Sequence, residues 1–456
     1  MKTLIKIILT SVILITVISF TVIAQTNVSG GIYSNTTWTF TGSPYIVTDT
    51  VVVFPGVTLT IEPGVEVRFA DTKYLELRQA TLIALGTATD SIMFTSNSTS
   101  PTTGSWGTVW VNGGIANSEF NYCNFKYADY GLQGADTIRN SNFIFNNNGL
   151  LGGVFIDSCN FTYNGVGLSA SMAHIYNCNF LHNQFGIGGN TTLKCWIKDC
   201  VIDSNQTGLV CNRTLIENCI INHNQIGIQG QFGGSFNNIY RNCIIDSNSL
   251  HGVIPYPNDS LVDCEIKSNG IGVNVTTFGA IITRNVIESN SVGIMLGTAS
   301  TNIYCNRICN NTTYNLQYTF VSGNGTVANN YWCTADSAST EVGIYDGYDN
   351  IMYGLVNFMP IDTLQCYLTT GILTSEIQLT SFSIFPNPAA DYISIELPAT
   401  ISNKEIKIFN MCGELTYLST TTRQNTTIDI STLVRGVYII QIATRDKIGR
   451  QKLIKQ

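Results

Sequence analysis

Charge is scarce in this chain. Only 12% of its 456 residues are Asp, Glu, Lys or Arg, about half the usual quarter. A net charge of −7, with Lys and Arg thinly scattered, leaves no basic footprint for nucleic acid. Histidine is nearly absent, at 4 residues. After the first 24 residues no apolar run is long enough to span a bilayer. Gly and Asn, by contrast, are abundant, which is the balance of a turn-rich β protein. At this length two or three domains are expected.

The opening 24 residues have the form of an export leader. Lys2 and Lys6 give a positive start, Ile7 to Ile23 is apolar, and Val22-Ile23-Ala24 ends in the small residue that signal peptidase requires. An apolar run of about 17 residues is also near the lower limit for a spanning helix. Polar Gln25-Thr26-Asn27 comes at once after it. Removal of residues 1–24 is therefore expected, leaving no transmembrane segment.

Most of the remaining chain repeats every eighteen to twenty-four residues. Cys159-Asn160-Phe161-Thr162-Tyr163-Asn164 is answered by Cys178-Asn179-Phe180-Leu181-His182-Asn183. The frame runs from Ser141–Asn146 through units at Cys200, Cys219, Cys243, Cys264 and Asn285 to Asn306–Asn311. The register residue and the one two places on are small or apolar, the period of a strand with one face inward. The second inward position reads Phe125, Phe143, Phe161, Phe180, then Ile202, Ile221, Ile245, Ile266, Ile287, Ile308. A helix cannot produce such a column. A unit this short cannot bury its own apolar face, so the units must stack into a solenoid. The closing Asn sits where the strand turns, a place that suits its tolerance of left-handed backbone and its capacity for amide ladders. Gly-apolar pairs such as Gly167-Leu168 and Gly208-Leu209 begin the next strand.

An even 14 cysteines in an exported chain would ordinarily mean disulfides. Yet Cys123, Cys159, Cys178, Cys200, Cys219, Cys243 and Cys264 share one register position. Stacked in parallel, their Cβ atoms would lie about 4.8 Å apart, beyond the usual span of roughly 3.5–4.5 Å. A ladder of mostly unbridged thiols, acting as small hydrophobes, is expected. Cys195, Cys211, Cys305, Cys309, Cys333, Cys366 and Cys412 lie off the ladder, and nothing in the sequence pairs them.

The pattern resembles the right-handed parallel β-helix of the pectate-lyase-like superfamily. Val53 to Phe69, Leu82 to Thr87, Ile92 to Ser96 and Trp106-Gly107 resemble the opening coils of exported bacterial β-helix proteins. Asn329 to Cys333, Ile344 to Asp349 and Val356 to Pro360 resemble their closing segment, although relatives usually carry Gly where Cys333 stands. After a linker at 366–381, where the Asn/Gly repeat stops, come short alternating strands separated by turn residues. Phe382 to Ile393, Ile406 to Gly413, Ile428 to Leu433 and Gly436 to Ile442 read as a small β-sandwich. These blocks resemble the type A C-terminal sorting domain of the Bacteroidetes type IX secretion system. The organisation expected is all-β: leader 1–24, right-handed parallel β-helix 25–365, linker 366–381, and an Ig-like β-sandwich sorting domain at 382–456. The resemblance implies partnership with the type IX machinery and a secreted or outer-membrane surface location.

Relatives with this helix include polysaccharide lyases and hydrolases. Lyases use calcium-binding carboxylates and a base, and glycosidases use a carboxylate pair. Outward positions here offer Asp199, Asp203, Asp246 and Lys267, and adjacent coils bring Asp263, Glu265, Arg284 and Glu288 into reach of one groove. The competing reading is a solvated face of cross-coil ion pairs. His182 and His223 share a register but lie two coils, about 9.6 Å, apart, too far to share zinc. Gly165-Val166-Gly167 and Gly270-Ile271-Gly272 read as coil turns without phosphate-loop context. Asp49-Thr50, Asp90-Ser91, Asp136-Thr137, Asp259-Ser260, Asp336-Ser337 and Asp362-Thr363 resemble Bacteroidetes O-glycosylation sites. The first expectation is a non-enzymatic surface or secreted protein that binds carbohydrate or another surface, with no cofactor or metal. The alternatives are a lyase or hydrolase of acidic polysaccharide, with calcium if a lyase, and a structural stalk or adhesin.

Overall fold

The computed structural model describes residues 25–113, 118–188, 194–230, 237–299, 302–362, 377–378, 382–396, 404–410, 415–421, 423, 425–443 and 447–456. The leader, most of the linker, Cys366 and Cys412 lie outside the described residues. The chain divides into two compact units between residues 369 and 370, within the stretch that composition marks as a linker.

The first unit is a parallel β-solenoid. The first strand of each coil joins a 13-stranded sheet, as in Thr137–Arg139, Phe155–Asp157 and His174–Tyr176. The second and third strands belong to a 27-stranded sheet, as in Asn160–Thr162 and Val166–Ser169. Register is kept by what must be hidden: a slip of one residue would turn every apolar side chain outward. Phe161 pairs with Phe143 on one side and Phe180 on the other. The phenylalanine column gains Phe94 one coil earlier, and its rings stack at 4.7–4.9 Å with interplanar angles of 3–6°. The isoleucines from Ile202 to Ile308 continue it, fully buried. In the first strand series the inward column runs Ile138, Ile156, Ile175, Ile197, Ile216, Tyr240, Leu261, Ile282, Ile303.

The turn chemistry differs from expectation in one respect. The ladder asparagines are not the left-handed residues; the residue before each one is. Phe145, Tyr163, His182, Ser204 and His223 have φ between 51° and 57°. That bend aims the next side chain into the coil, where the Asn amide satisfies buried backbone groups. Asn164 Oδ1 accepts from both the backbone N and Nδ2 of Asn146, while Asn164 Nδ2 donates to Phe143 O. The ladder runs to Asn311, where Asn315 takes over as acceptor.

The seven ladder thiols are buried and free, as are Cys195 and Cys211. They do more than fill space. The thiols of Cys159, Cys178 and Cys264 donate to carbonyls two residues earlier, at 3.1–3.4 Å. In later coils the same register is held by Asn285, Asn306 and Asn330, whose Oδ1 atoms accept from the preceding coil's backbone N. Cys309 and Cys333 form a disulfide with Cα atoms 5.8 Å apart, and Cys305 is also disulfide-bonded. Cys333 has φ 61°, the left-handed conformation that suits Gly.

The Gly of each Gly-apolar pair lies in a strand, as expected of the pairs, so that of the two Gly-x-Gly runs read as coil turns only Gly165 and Gly270 stay outside the strands. Gly167 lies within Val166–Ser169 and Gly272 within Ile271–Val275. A Cβ at Gly208 would stand 2.6 Å from the carbonyl oxygen of Gly227 in the next coil. Close backbone approach therefore requires glycine here.

In the second unit, strands Lys404–Asn410, Leu415–Thr421, Gly436–Ala443 and Lys447–Lys455 pair antiparallel. Ser383–Phe385, Tyr392–Glu396 and Asn425–Asp429 form a smaller antiparallel sheet. Ile393, Ile395, Ile406, Ile408, Ile440 and Leu453 share one core, as in a β-sandwich. Among the described residues no helix is long and apolar enough to cross a membrane.

Candidate functional site

The four predicted site residues do fall on neighbouring coils, but their charges are already paired. Asp263 and Arg284 occupy left-handed turn positions. Arg284 Nε and Nη2 donate to the two Asp263 carboxylate oxygens at 2.8 and 2.7 Å. Glu265 lies in Glu265–Lys267 and Glu288 in Val286–Glu288. Lys267 pairs with Glu265 and, at 3.2 Å, with Glu288. Arg307 takes the other Glu288 oxygen at 3.2 Å.

The cations are poor bases. Hydrogen bonding to Asp263 pushes the Arg284 pKa up. Burial works against the Lys267 charge, but its hydrogen bonds to Glu265 and Glu288 raise its pKa overall. A lyase base must lose its proton, and both partners here hold the proton more tightly. The cluster is a cross-coil ion-pair network.

The other expectations separate in the same way. His182 stacks on Tyr163 with ring centroids 5.0 Å apart, while His223 Nδ1 lies 3.3 Å from Asp203. No group of three or more His, Cys, Asp or Glu that could hold a metal occurs among the described residues. Asp336 and Ser337 are exposed at the start of helix Ser337–Glu341, whereas Asp259 is buried. Thr363 lies outside the described residues.

Half-buried and exposed aromatic residues stack on the surface in several places, including Tyr33 on Phe54. Tyr127, Phe145, Tyr163 and His182 pile face to face along successive coils. On the first strand series Arg139 sits over Phe155, and His174 stacks on Trp196 at 4.6 Å. Such stacks cover ring faces with other rings and present mainly edges.

A different arrangement occurs near the end of the first strand series. A groove of about 520 Å³ is lined by Phe278, Asn302, Tyr304, Thr326 and Asn329, with Ile303 at its base. Asn302 and Tyr304 flank inward Ile303 in strand Asn302–Tyr304, so both point out. Phe278 is 67% exposed and Tyr304 42% exposed. Neither ring stacks on another among the described residues. Asn329 is held by its backbone, with N donating to Pro360 O and O accepting from Cys305 N, both at 2.7 Å. Among the described residues that line it, the groove carries no carboxylate, no cationic side chain and no histidine. Its chemistry is two apolar ring surfaces beside neutral amides and hydroxyls. Tyr304 pairs in register with Thr283, the residue before Arg284, so the ion-pair network borders the groove without lining it.

Sequence reasoning tracked the second strand series and passed over this groove. The pattern Asn302-Ile303-Tyr304 held the signal, since alternation about a buried Ile places Tyr304 outside. Phe278 lies in a loop, where no repeat marks it.

Residues 383–456 match the family described as a secretion system C-terminal sorting domain. Residues 30–144 match a pectate-lyase like beta helix domain. An ulvan lyase, NLR42 of Nonlabens ulvanivorans, is 33% identical over 88 residues, covering 19% of this chain and 16% of the lyase. The match thus spans about a sixth of that relative's length. The periplasmic alginate epimerase AlgG is similar over 74% of this chain and 85% of its own, with 11% identity and a TM-score of 0.34. The tailspike protein of E. coli bacteriophage HK620 is similar over 94% of this chain and 86% of its own, with 10% identity and a TM-score of 0.31. At these values neither structural likeness bears on activity.

Proposed function

We propose that this protein, a pectate-lyase-like β-helix joined to a type IX sorting tail, binds neutral polysaccharide outside the cell without cleaving it. The tail marks the chain for secretion or for attachment to the cell surface. In this reading residues 1–24 carry it through the inner membrane, and the tail engages the type IX machinery at the outer membrane. The observation that carries the ligand assignment is the groove at Phe278 and Tyr304. Its aromatic surfaces suit the apolar faces of sugar rings, and the Asn302 and Asn329 amides suit hydroxyl groups. The absence of charge from its lining disfavours acidic chains, and no acid–base pair is placed to break a glycosidic bond.

A second reading is a lyase acting on acidic polysaccharide. It draws on the short match to an ulvan lyase and on the register of Tyr304 with Thr283, the residue before Arg284. One experiment separates the two. The exported protein is incubated with neutral and acidic polysaccharides, with and without calcium, while bound protein, reducing ends and unsaturated products are monitored together. Binding to a neutral chain without products, weakened at least tenfold by Tyr304→Ala, is the expected result. Product formation overturns the binding reading. Neither binding nor products would leave a structural stalk.

A further inference from the structure

Three carboxylates are buried among the described residues, those of Glu76, Asp259 and Asp346. Two of them tie down backbone. Asp259 accepts from the backbone N of Asn238 and Tyr256, and Asp346 from that of Tyr348 and Val356. Glu76 differs, because its carboxylate accepts only from side chains among the described residues. Arg78 Nε donates to Oε1 at 3.0 Å and Nη2 to Oε2 at 2.8 Å, while Asn112 Nδ2 donates to Oε1 at 3.0 Å.

Strand alternation explains the arrangement. Glu76 and Arg78 alternate with buried Leu75 and Leu77 in strand Leu75–Arg78, so both stand on the outer face. In the next coil Trp110 pairs in register with Glu76, and Asn112 with Arg78. Glu76 is 3% exposed, but the Arg78 side chain stays 49% exposed. The pair therefore covers its negative end and turns its positive end to solvent. Arg78 Cζ also lies 5.7 Å from the centre of the Phe54 ring, a cation–π contact that steadies the guanidinium. Holding the sheet together does not require such a pair, since apolar residues of like volume are often at least as stabilising as a buried ion pair.

The polar atoms left over have a definite shape. A guanidinium has five N–H donors, and Glu76 takes two. The Nη1 hydrogens and the second Nη2 hydrogen make no hydrogen bond among the described residues. They form an end-on fork that matches a planar carboxylate. Beside it Asn112 Oδ1 likewise accepts nothing. Trp110 is 37% exposed and stacks on no other ring among the described residues.

We propose that Arg78, Asn112 and Trp110 form a binding site for a uronate residue of an acidic glycan, with Glu76 as the positioning residue. The sugar carboxylate takes the free guanidinium fork, a ring hydroxyl donates to Asn112 Oδ1, and the apolar face of the ring rests on Trp110. The site lies on a different strand series from the groove at Tyr304, near the N-terminal end of the solenoid. It does not depend on that groove.

Isothermal titration calorimetry of the exported full-length protein with trimers of galacturonate, mannuronate and glucuronate tests this. At least one trimer should bind, and methyl esterification of its carboxyls should weaken it at least tenfold. Arg78→Lys, which keeps the charge and loses the fork, should cost at least tenfold, as should Trp110→Ala. Tyr304→Ala should leave this affinity within twofold, so that failure of the neutral groove and failure of this site are read separately. Glu76→Gln supplies the deciding sign. If charge alone drew the ligand, removing a carboxylate would tighten binding; loss of the support beneath Arg78 should instead weaken it at least fivefold. Trp110→Ala and Glu76→Gln should melt within a few degrees of wild type, which separates a lost site from a lost fold. No binding of any trimer at millimolar concentration, binding indifferent to both Arg78→Lys and Trp110→Ala, or tighter binding by Glu76→Gln would overturn the proposal.

Discussion

Asn183 Oδ1 accepts two hydrogen bonds from Asn164 in the adjacent coil, from the backbone N at 2.9 Å and from Nδ2 at 3.0 Å. Asn183 Nδ2 in turn donates to Phe161 O at 2.9 Å. One amide therefore satisfies three groups that no water reaches. Asn183→Ala should leave two donors and one acceptor unpaired, at about 1–3 kcal/mol for each group that cannot find another partner. A net loss of about 3–5 kcal/mol is expected in chemical denaturation. Asn160 belongs to an outer ladder, where its Nδ2 donates to Asn142 Oδ1 at 2.8 Å in a half-buried setting. Asn160→Ala should cost less than about 1 kcal/mol. Equal losses from the two variants would mean that burial is not what gives the inner ladder its weight.

How far the sequence could be read depended on periodicity. The column from Phe125 to Ile308 was legible because its side chains recur at one register and have only one place to hide. The Asn ladder was legible for the same reason. Its backbone was misread, since Asn is itself a favoured left-handed residue and gave no cue that Tyr163 or His182 takes that conformation instead. The Gly-apolar pairs were legible as strand starts, but sequence records no distance, and only the 2.6 Å approach at Gly208 shows why a side chain is excluded there. Asp263, Glu265, Arg284 and Glu288 were expected on adjacent coils either as a groove or as cross-coil ion pairs, and only the side-chain directions, which residue types do not give, show them paired. Tyr304 was legible from the alternation about buried Ile303 but drew no notice on the first strand series, and Phe278 lies in a loop that no repeat marks.

The thiol ladder makes a redox prediction. In-register strands hold neighbouring Cβ atoms about 4.8 Å apart, outside normal disulfide geometry. Burial pushes the Cys178, Cys200 and Cys211 thiols well up, and thiols rather than thiolates react slowly. Folded protein collected from the medium should therefore resist thiol reagents. Unfolding without reductant should then release the nine cysteines that are free among the described residues. Near absence of titratable thiol would show that ladder cysteines cross-link during export.

Asp259 predicts a particular dependence on pH. It is buried beside Tyr240, whose hydroxyl donates to Oδ2 at 3.2 Å, and it accepts from Asn238 N at 2.9 Å. Burial raises its pKa, and these hydrogen bonds only partly oppose the shift. A carboxyl whose pKa is raised on folding binds its proton more tightly in the native state. Its stabilising contribution is full below the unfolded value of about 3.9 and is lost as pH rises through the native value. The melting temperature of wild type relative to Asp259→Asn should thus fall as pH is raised from about 4 toward neutrality. A constant difference across that range, or a rising one, would mean that the native carboxyl is not held up.

The Asp263–Arg284 pair distinguishes structure from catalysis. With Arg284 removed, Asp263 keeps a largely buried carboxylate without its bidentate partner, its side chain being 14% exposed. Losing one member of such a pair costs more than losing both, because the survivor keeps its desolvation penalty. Arg284→Ala should therefore destabilise more than the double variant Asp263→Ala/Arg284→Ala, and the double variant should lie within about 1–2 kcal/mol of wild type. Polysaccharide binding should stay within twofold of wild type in the double variant, while Tyr304→Ala loses it. The opposite pattern, with binding or turnover abolished by the double variant and untouched by Tyr304→Ala, would move the site from the neutral groove to the ion-pair network. It would also give Arg284 the task of holding an acidic sugar.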